Sequence, residues 1–343
     1  MWSRKKYTLT IVFLGVALLC CLLLNISLGS VSIPFSEVIA SLTGFAVEKE
    51  TWRYIILEFR LPKAITAIIT GSGLAVSGLL MQTLFRNPLA GPYVLGLSSG
   101  ASLGVAIVFM GSALFGAGFA VILLSKWSLV IASSLGSFLV LLAVIVASLR
   151  LRDTMAILII GLMFASFTAA IVSVLAYFSP AADLQQYIFW SYGSLGNLSW
   201  EEVSILTIFW SVGILITLAS IKNLNSLLLG EQYAKSMGTN IKRNRFLVIL
   251  ATSLLAGSIT AFAGPIAFIG LAVPHLIRQI IPSANHIILF PAIIFGGAIL
   301  MLLCDIVSQL PGSEFSLPIN AITSLIGAPV VIWLLIRKRR FNF

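Results

Sequence analysis

Charge is what this sequence has least of. Only 9% of its 343 residues are Asp, Glu, Lys or Arg, where a soluble domain carries about 25%. So few charges could not cover the surface of a soluble protein this size, so soluble globular, disordered and fibrous classes are excluded. Cysteine is scarce as well. Cys20, Cys21 and Cys304 all lie in apolar runs without metal-ligand spacing, which supports neither a disulfide framework nor a zinc site and leaves them as buried apolar thiols. There are two histidines, with no Ser/His pair or His/Glu cluster beside them, and so no nucleophilic or metal centre. None of the 27 glycines is followed by lysine, so the loop that cradles nucleotide phosphates is missing. No catalytic residue, metal site or bound cofactor is expected in this chain.

What is abundant is hydrocarbon: 59% of residues are hydrophobic and the mean hydropathy is +1.09. A helix crossing a bilayer needs about 20 apolar residues. The chain predicts ten such spans, near 8–28, 60–83, 93–110, 127–148, 154–178, 201–220, 246–264, 267–281, 286–305 and 318–336. The apolar run after Arg4-Lys5-Lys6 exceeds the roughly 7–15 residues of a signal peptide and lacks a small-x-small site, so it reads as a retained helix. The stretches 60–83 and 246–281 carry Gly and Pro and are expected to be broken; 267–281 is short and expected to be partly buried in protein.

With the N-terminus inside, the cytoplasmic segments collect Arg4, Lys5, Lys6, Arg86, Arg150, Arg152, Lys222, Lys235, Lys242, Arg243, Arg245, Arg278, Arg337, Lys338, Arg339 and Arg340, most of the 21 basic residues. Asp153 and Glu231 are the acidic residues on that side. This asymmetry fits both termini in the cytoplasm, and it absorbs the net charge of +10 without any nucleic-acid partner. No soluble domain is visible, so residues 1–343 read as one transmembrane domain. A shift of 192 residues aligns Ala75, Gly78, Leu79, Leu84 and Arg86 with Ala267, Gly270, Leu271, Leu276 and Arg278, an echo compatible with a repeated half or with chance.

Several stretches have a physical reading of their own. Gly71, Ser77 and Gly78 would admit another helix backbone closely, and Arg86-Asn87-Pro88 would end the span and turn the chain. In 224–238, Leu227, Leu228 and Leu229 precede Gly230, a joint between two short helices, while Glu231 and Lys235 stand four apart. That segment could rest on the membrane surface or dock elsewhere. Ser166, Ala170, Ser173 and Tyr177 share one face of the fifth span, which in a membrane helix favours close packing. His275 and Asp305 are intramembrane ionisable residues and so functional suspects; Pro274 and Arg278 place His275 near a helix end, where capping is the ordinary role.

As an ordered set these motifs resemble the FecCD-type, vitamin-B12-permease-like family of bacterial ABC importers for ferric siderophores, haem and cobalamin. The resemblance is carried by Arg60-Leu61-Pro62-Lys63, by the run from Gly71 through Arg86-Asn87-Pro88 to Gly96, and by Trp190 to Leu195. It continues through Leu224 to Gly238, the block from Gly264-Pro265 through Pro274-His275 to Arg278, Leu317-Pro318, and Ile326 to Pro329. It covers roughly 55–336 and implies an all-α, ten-helix, type II ABC importer permease fold in the bacterial plasma membrane. It also implies partners: a second permease subunit, identical or paralogous, two cytoplasmic ATPase chains that carry ATP and Mg, an extracytoplasmic substrate-binding protein, and membrane lipid. Hydrolysis then belongs to the partners, and this chain is a transporter subunit rather than an enzyme.

Residue roles follow from the same resemblance. Leu227, Leu228, Gly230, Glu231, Ala234, Lys235 and Gly238 would couple to the ATPase. Arg60 and Lys63 would receive glutamates of the binding protein, against the plainer reading as anchors near headgroups. Ser166, Ala170, Ser173 and Tyr177 would wall the pathway. Three departures from the family pattern stand out: Gln309 where an arginine is frequent, Asn285-His286-Ile287 in place of Asp-His-Arg, and Asn320 in place of glycine. They tilt toward a paralogous partner. An ion-coupled secondary carrier using Asp305 and an intramembrane enzyme are the competing classes; a carrier should show several buried coupling charges, and the spans have almost none.

Overall fold

The computed structural model describes residues 4–111, 126–150, 154–196, 198–310 and 315–336. Both termini, and with them Arg337, Lys338, Arg339 and Arg340, as well as Arg152 and Asp153, lie outside the described residues. The described residues are helical or in loops, as the period and length of the apolar runs require. In chain order the helices are α1 (Arg4–Ser27), α2 (Phe35–Thr43), α3 (Glu50–Tyr54), α4 (Leu61–Phe85), α5 (Leu97–Met110), α6 (Lys126–Arg150), α7 (Thr154–Phe178), α8 (Ala181–Ser191), α9 (Trp200–Leu228), α10 (Glu231–Ser236), α11 (Ile241–Ala263), α12 (Ile269–Ile280), α13 (His286–Ser308) and α14 (Ile319–Ile336). Ten of these coincide with the expected spans. Among the described residues, seven helical stretches are long and apolar enough to cross a membrane, with α5 and α14 as shorter apolar helices. At twelve residues, α12 is shorter still and mostly buried, as its length suggested.

One expected break does not exist. Helical backbone runs without interruption from Glu50 to Phe85. A π-helical turn over Ile55–Arg60 precedes α4, and such a wide turn makes room for the ring of Pro62, whose missing N–H leaves one gap in the ladder of this continuous helix. The other break is real: between α11 and α12 the chain unwinds over 264–268, with Gly264 at φ +77 and Phe268 at φ +67. Of the 192-residue echo, Gly78, Leu79 and Leu84 and their counterparts Gly270, Leu271 and Leu276 are all helical, while Ala75 lies within a helix and Ala267 in the unwound stretch.

The chain divides into two compact units, each drawn from separated segments: 1–76, 194–208 and 266–343, and 77–193 with 209–265. In the first unit α13 is the hub. Gly71 of α4 and Gly297 of α13 meet so closely that a Cβ on either would collide with the other's carbonyl, and Gly296 admits the Ile277 side chain of α12. Asn25 of α1 donates to the Leu302 carbonyl of α13 at 3.3 Å. In the second unit α5 is the hub, with Gly100 against Gly136 of α6 and Gly104 against Ala132. Small residues do this work because a bilayer supplies no hydrophobic drive between helices, so close backbone approach replaces it. Side-chain caps fix several helix starts: Ser199 and Glu202 form a capping box at α9, and Asn240 caps α11.

Candidate functional site

Two polar constellations stand out, one within each unit. In the second unit, Leu228 ends α9 and Gly230, at φ +117 and ψ 148, turns the chain into the six-residue α10. That backbone conformation is open essentially to glycine alone. Gly238, at φ +82, closes α10: its N–H donates to Lys235 and that of Thr239 to Ala234, the hydrogen-bond pattern that ends a helix on a left-handed glycine. The expected joint and stop are thus where the sequence put them. The arm before the joint, however, is not a short helix but the end of the 29-residue α9.

Burial sorts the residues of this elbow. Leu227 and Ala234 point into the chain and cannot touch a partner. The exposed apolar residues are Leu229, Tyr233 and Met237, at 63%, 56% and 59%, with Lys235 exposed among them. Glu231 does not serve Lys235. It pairs with Arg245 of α11, Nη2 to Oε1 at 3.3 Å, and the arginine side chain is only 8% exposed. Arg86 reaches the same elbow: its Nη2 donates to the Leu227 carbonyl at 2.7 Å. A cavity of about 130 Å³ lies here, lined by Thr83, Arg86, Leu227, Glu231, Ile241 and Arg245 among others.

In the first unit, Arg60 and Lys63 are close in sequence and differently engaged. Arg60 donates from Nη1 to the carbonyls of Ile26 at 2.7 Å and Ser27 at 2.8 Å, and from Nη2 to that of Val31. It thereby closes the C-terminal end of α1, where the helix dipole favours a cation. Lys63 forms a 3.1 Å ion pair with Asp305, a carboxylate 2% exposed. The same Asp305 accepts from Asn25 at 2.9 Å and from Gln309 at 2.7 Å. Neither cation is a free rim charge. Gln309, one of the departures from the family pattern, supplies the amide that completes the shell of Asp305, so the missing arginine is replaced by an internal donor.

The other departures are also used locally. Asn320 accepts from the N–H of Ala267 at 3.0 Å, holding the unwound stretch before α12, and Asn285 caps α13 by accepting from Ile287. The remaining motif residues are structural. Arg86 adopts φ +46 at the end of α4, with Asn87 donating to Gln82 and accepting through its side chain from Leu89, while Pro88 follows in the turn. Gly264 packs where a Cβ would lie 2.8 Å from the Trp190 carbonyl and 2.9 Å from Gly193, and Pro265 extends the break. Pro274 and His275 are buried inside α12, with Arg278 one turn on; His275 is therefore not a helix-end cap, because it lies within the helix.

Ser166, Ala170, Ser173 and Tyr177 do share one face of α7, and every one of them is exposed, Tyr177 by 82%. Packing against the described helices of this chain is therefore not their role. The serine hydroxyls turn inward to their own helix, Ser166 to the Leu162 carbonyl and Ser173 to that of Ala169. Among the described residues no group of three or more His, Cys, Asp and Glu could hold a metal ion.

Sequence reasoning missed Arg245 as Glu231's partner, Asn25 as Asp305's, and the outward set Leu229, Tyr233 and Met237. The last had no periodic signal, because only Tyr233 lies within the six-residue helix and Gly230 breaks the phase before it. The first two had none either, because the partners lie 14 and 280 residues away.

Comparison with known proteins converges on one family. The FecCD transport family profile matches residues 17–337. The hemin transport system permease protein HmuU of Yersinia pestis is 33% identical over 340 residues, covering 99% of this chain and 98% of that protein. The vitamin B12 import system permease protein BtuC of Klebsiella pneumoniae is 33% identical over 327 residues, covering 95% and 93%. Among solved structures, a metal-chelate type ABC transporter in an inward-facing conformation superposes with a TM-score of 0.83 at 30% identity, covering 96% of this chain and 99% of that one.

Proposed function

This chain belongs to the FecCD transport family, whose members are transmembrane subunits without an ATPase site of their own, and on that premise we propose that it imports a ferric siderophore or a related iron, haem or cobalamin chelate. It does so as one of two permease subunits, identical or paralogous, in the bacterial plasma membrane with both termini in the cytoplasm. An extracytoplasmic binding protein delivers the chelate, and two cytoplasmic ATPase chains, which carry ATP and Mg, drive alternating access. Relatives that handle hemin and vitamin B12, and a structural neighbour of the metal-chelate type, support a bulky chelate as cargo.

The observation that carries this reading is the elbow at Gly230. A six-residue helix turned off the end of α9, with Tyr233 exposed on it and Leu229 and Met237 exposed at its two ends, is an apolar anchor of the kind that seats in a partner's groove. Leu228, Lys235 and Gly238 complete the docking arm; Leu227, Glu231 and Ala234 set its shape from inside. Arg60 and Lys63 are the proposed docking residues for the binding protein. A partner glutamate would there compete with Asp305 for Lys63 and share Arg60 with three carbonyls, so these cations tune orientation and encounter rate more than affinity. The exposed small-residue face of α7 is the proposed wall of the pathway at the subunit axis.

An ion-coupled carrier is the weaker reading. It would need a carboxylate ready to exchange partners, and Asp305 already has Lys63, Asn25 and Gln309 around it. The test is co-purification. Tyr233→Glu, a surface change far from any span interior, should leave expression intact and cut the ATPase retained on the tagged permease about tenfold, roughly 1.4 kcal/mol. Full retention, with uptake unaffected, would return the carrier reading.

A further inference from the structure

We propose that Arg86 and Arg245 are positioning residues that together set the angle of the Gly230 elbow, so that the turn ending α4 and the first turns of α11 hold α10 between them. The inference rests on the reading of α10 as the ATPase-docking arm and adds to it the route by which movement of that arm enters the rest of the chain.

Gly230 by itself is a free joint. Two charged contacts remove that freedom from opposite sides. On the N-terminal side the Leu227 carbonyl accepts twice, from the Gly230 N–H at 3.1 Å and from Arg86 Nη2 at 2.7 Å. On the C-terminal side Glu231, the first residue of α10, takes the Arg245 guanidinium at 3.3 Å. The joint is therefore bracketed, three residues before it and one after, by cations from two other elements. Charge-assisted hydrogen bonds of this kind are about twice as strong as neutral ones, and the planar fork of arginine fixes direction as a lysine would not.

Arg86 stands at an informative position. The N–H of Arg86 bonds the Thr83 carbonyl and that of Asn87 the Gln82 carbonyl, which makes residue 86 the left-handed terminator of α4, the place glycine usually fills. An arginine is held there at φ +46, and its side chain spans 141 residues of sequence to the elbow. Arg86, Leu227, Glu231 and Arg245 line one cavity of about 130 Å³, so both clamp contacts border open space, and a change in the angle of α10 requires exchanging those two contacts rather than breaking a helix. Any such swing pulls on Arg86, and through it on the cytoplasmic end of α4.

The test uses the full chain in nanodiscs, with Cys20, Cys21 and Cys304 replaced by Ala and spin labels at Lys222→Cys on α9 and Lys235→Cys on α10, both exposed. Electron–electron distance measurement should give one narrow distribution in the parent. Arg86→Gln, a change at an exposed side chain, and Arg245→Gln should each at least double its width. Glu231→Arg should do the same, and Glu231→Arg with Arg245→Glu should narrow it again, a rescue that a merely structural role would not give. In the complex with its ATPase, Arg86→Gln should keep the partner bound and lower cargo transported per ATP about fivefold. Unchanged widths in both arginine variants would overturn the clamp. A doubled width in a protein whose α10 never meets an ATPase would uphold the clamp and sink the docking reading, so the two failures are distinguishable.

Discussion

The charged residues around Asp305 and those around Gly230 look alike in sequence and do opposite things in the fold. Arg60 and Lys63 are an outward-looking basic pair on paper, yet each is consumed by internal partners: three carbonyls for one, a carboxylate with two further amide donors for the other. That cluster is a rivet joining α1, α4 and α13. Around Gly230 the charges are equally engaged, but what they hold is a short helix with its apolar side turned outward. The lesson is that a cation's role follows from what saturates it. Where every donor and acceptor is met inside, the group stabilises; where the engaged charges frame an unsatisfied apolar face, they present something to a partner.

The largest effect should come from breaking the rivet. Lys63→Met leaves the Asp305 carboxylate buried with only amide donors, and removing one partner of a buried pair costs about 3 kcal/mol. Thermal unfolding in detergent should report a clearly lowered Tm, and adding Asp305→Asn should recover part of it, since the double change removes the orphaned charge. If Lys63→Met unfolds like the parent, the two clusters are not different in kind.

Next comes the joint. Gly230→Ala forces a Cβ onto a conformation that costs a non-glycine residue about 1–3 kcal/mol. Because the elbow is short and exposed, that strain should be relieved by a changed angle rather than by unfolding. The expected signature is a Tm within a degree or two of the parent together with substrate-stimulated ATP turnover reduced severalfold, the reverse of the Lys63→Met pattern. A matching loss of Tm would make the elbow a second rivet.

The smallest effect belongs to Lys235. Its side chain is exposed and, contrary to its spacing from Glu231, the carboxylate is taken by Arg245. Lys235→Ala should change stability by less than about 0.5 kcal/mol and ATPase retention by less than twofold. A large loss would mean that the docking face is electrostatic rather than apolar.

The ten spans were legible because a bilayer imposes length and composition on each, and the break over 264–268 because adjacent Gly264 and Pro265 both disfavour helix at one point. The continuity of Glu50–Phe85 was not, since glycine in a packed membrane helix marks close approach as readily as a break, and only the partner at Gly297 decides which. At the site, the joint at Gly230 and the stop at Gly238 were readable from residue type alone. The side chains facing outward were partly misread: Leu227 and Ala234 were grouped with the docking surface though they are buried, and Tyr233 and Met237 were passed over. A six-residue helix is too short for its own periodicity to separate inside from outside. Arg245 and Asn25 could not be found at all, because ion pairs and hydrogen bonds across distant segments leave no local pattern.

The most direct test of the docking arm is cross-linking from α10 in a chain with Cys20, Cys21 and Cys304 replaced by Ala. Single cysteines at Tyr233, Met237 and Ala234 would be treated with a short thiol-to-amine reagent in membranes containing the assembled transporter. The exposed pair should join the permease to its ATPase, more strongly with nucleotide cycling, while the buried Ala234→Cys should give no product. Equal products from all three positions, or labelling of Tyr233→Cys and Met237→Cys that never captures an ATPase, would contradict the account.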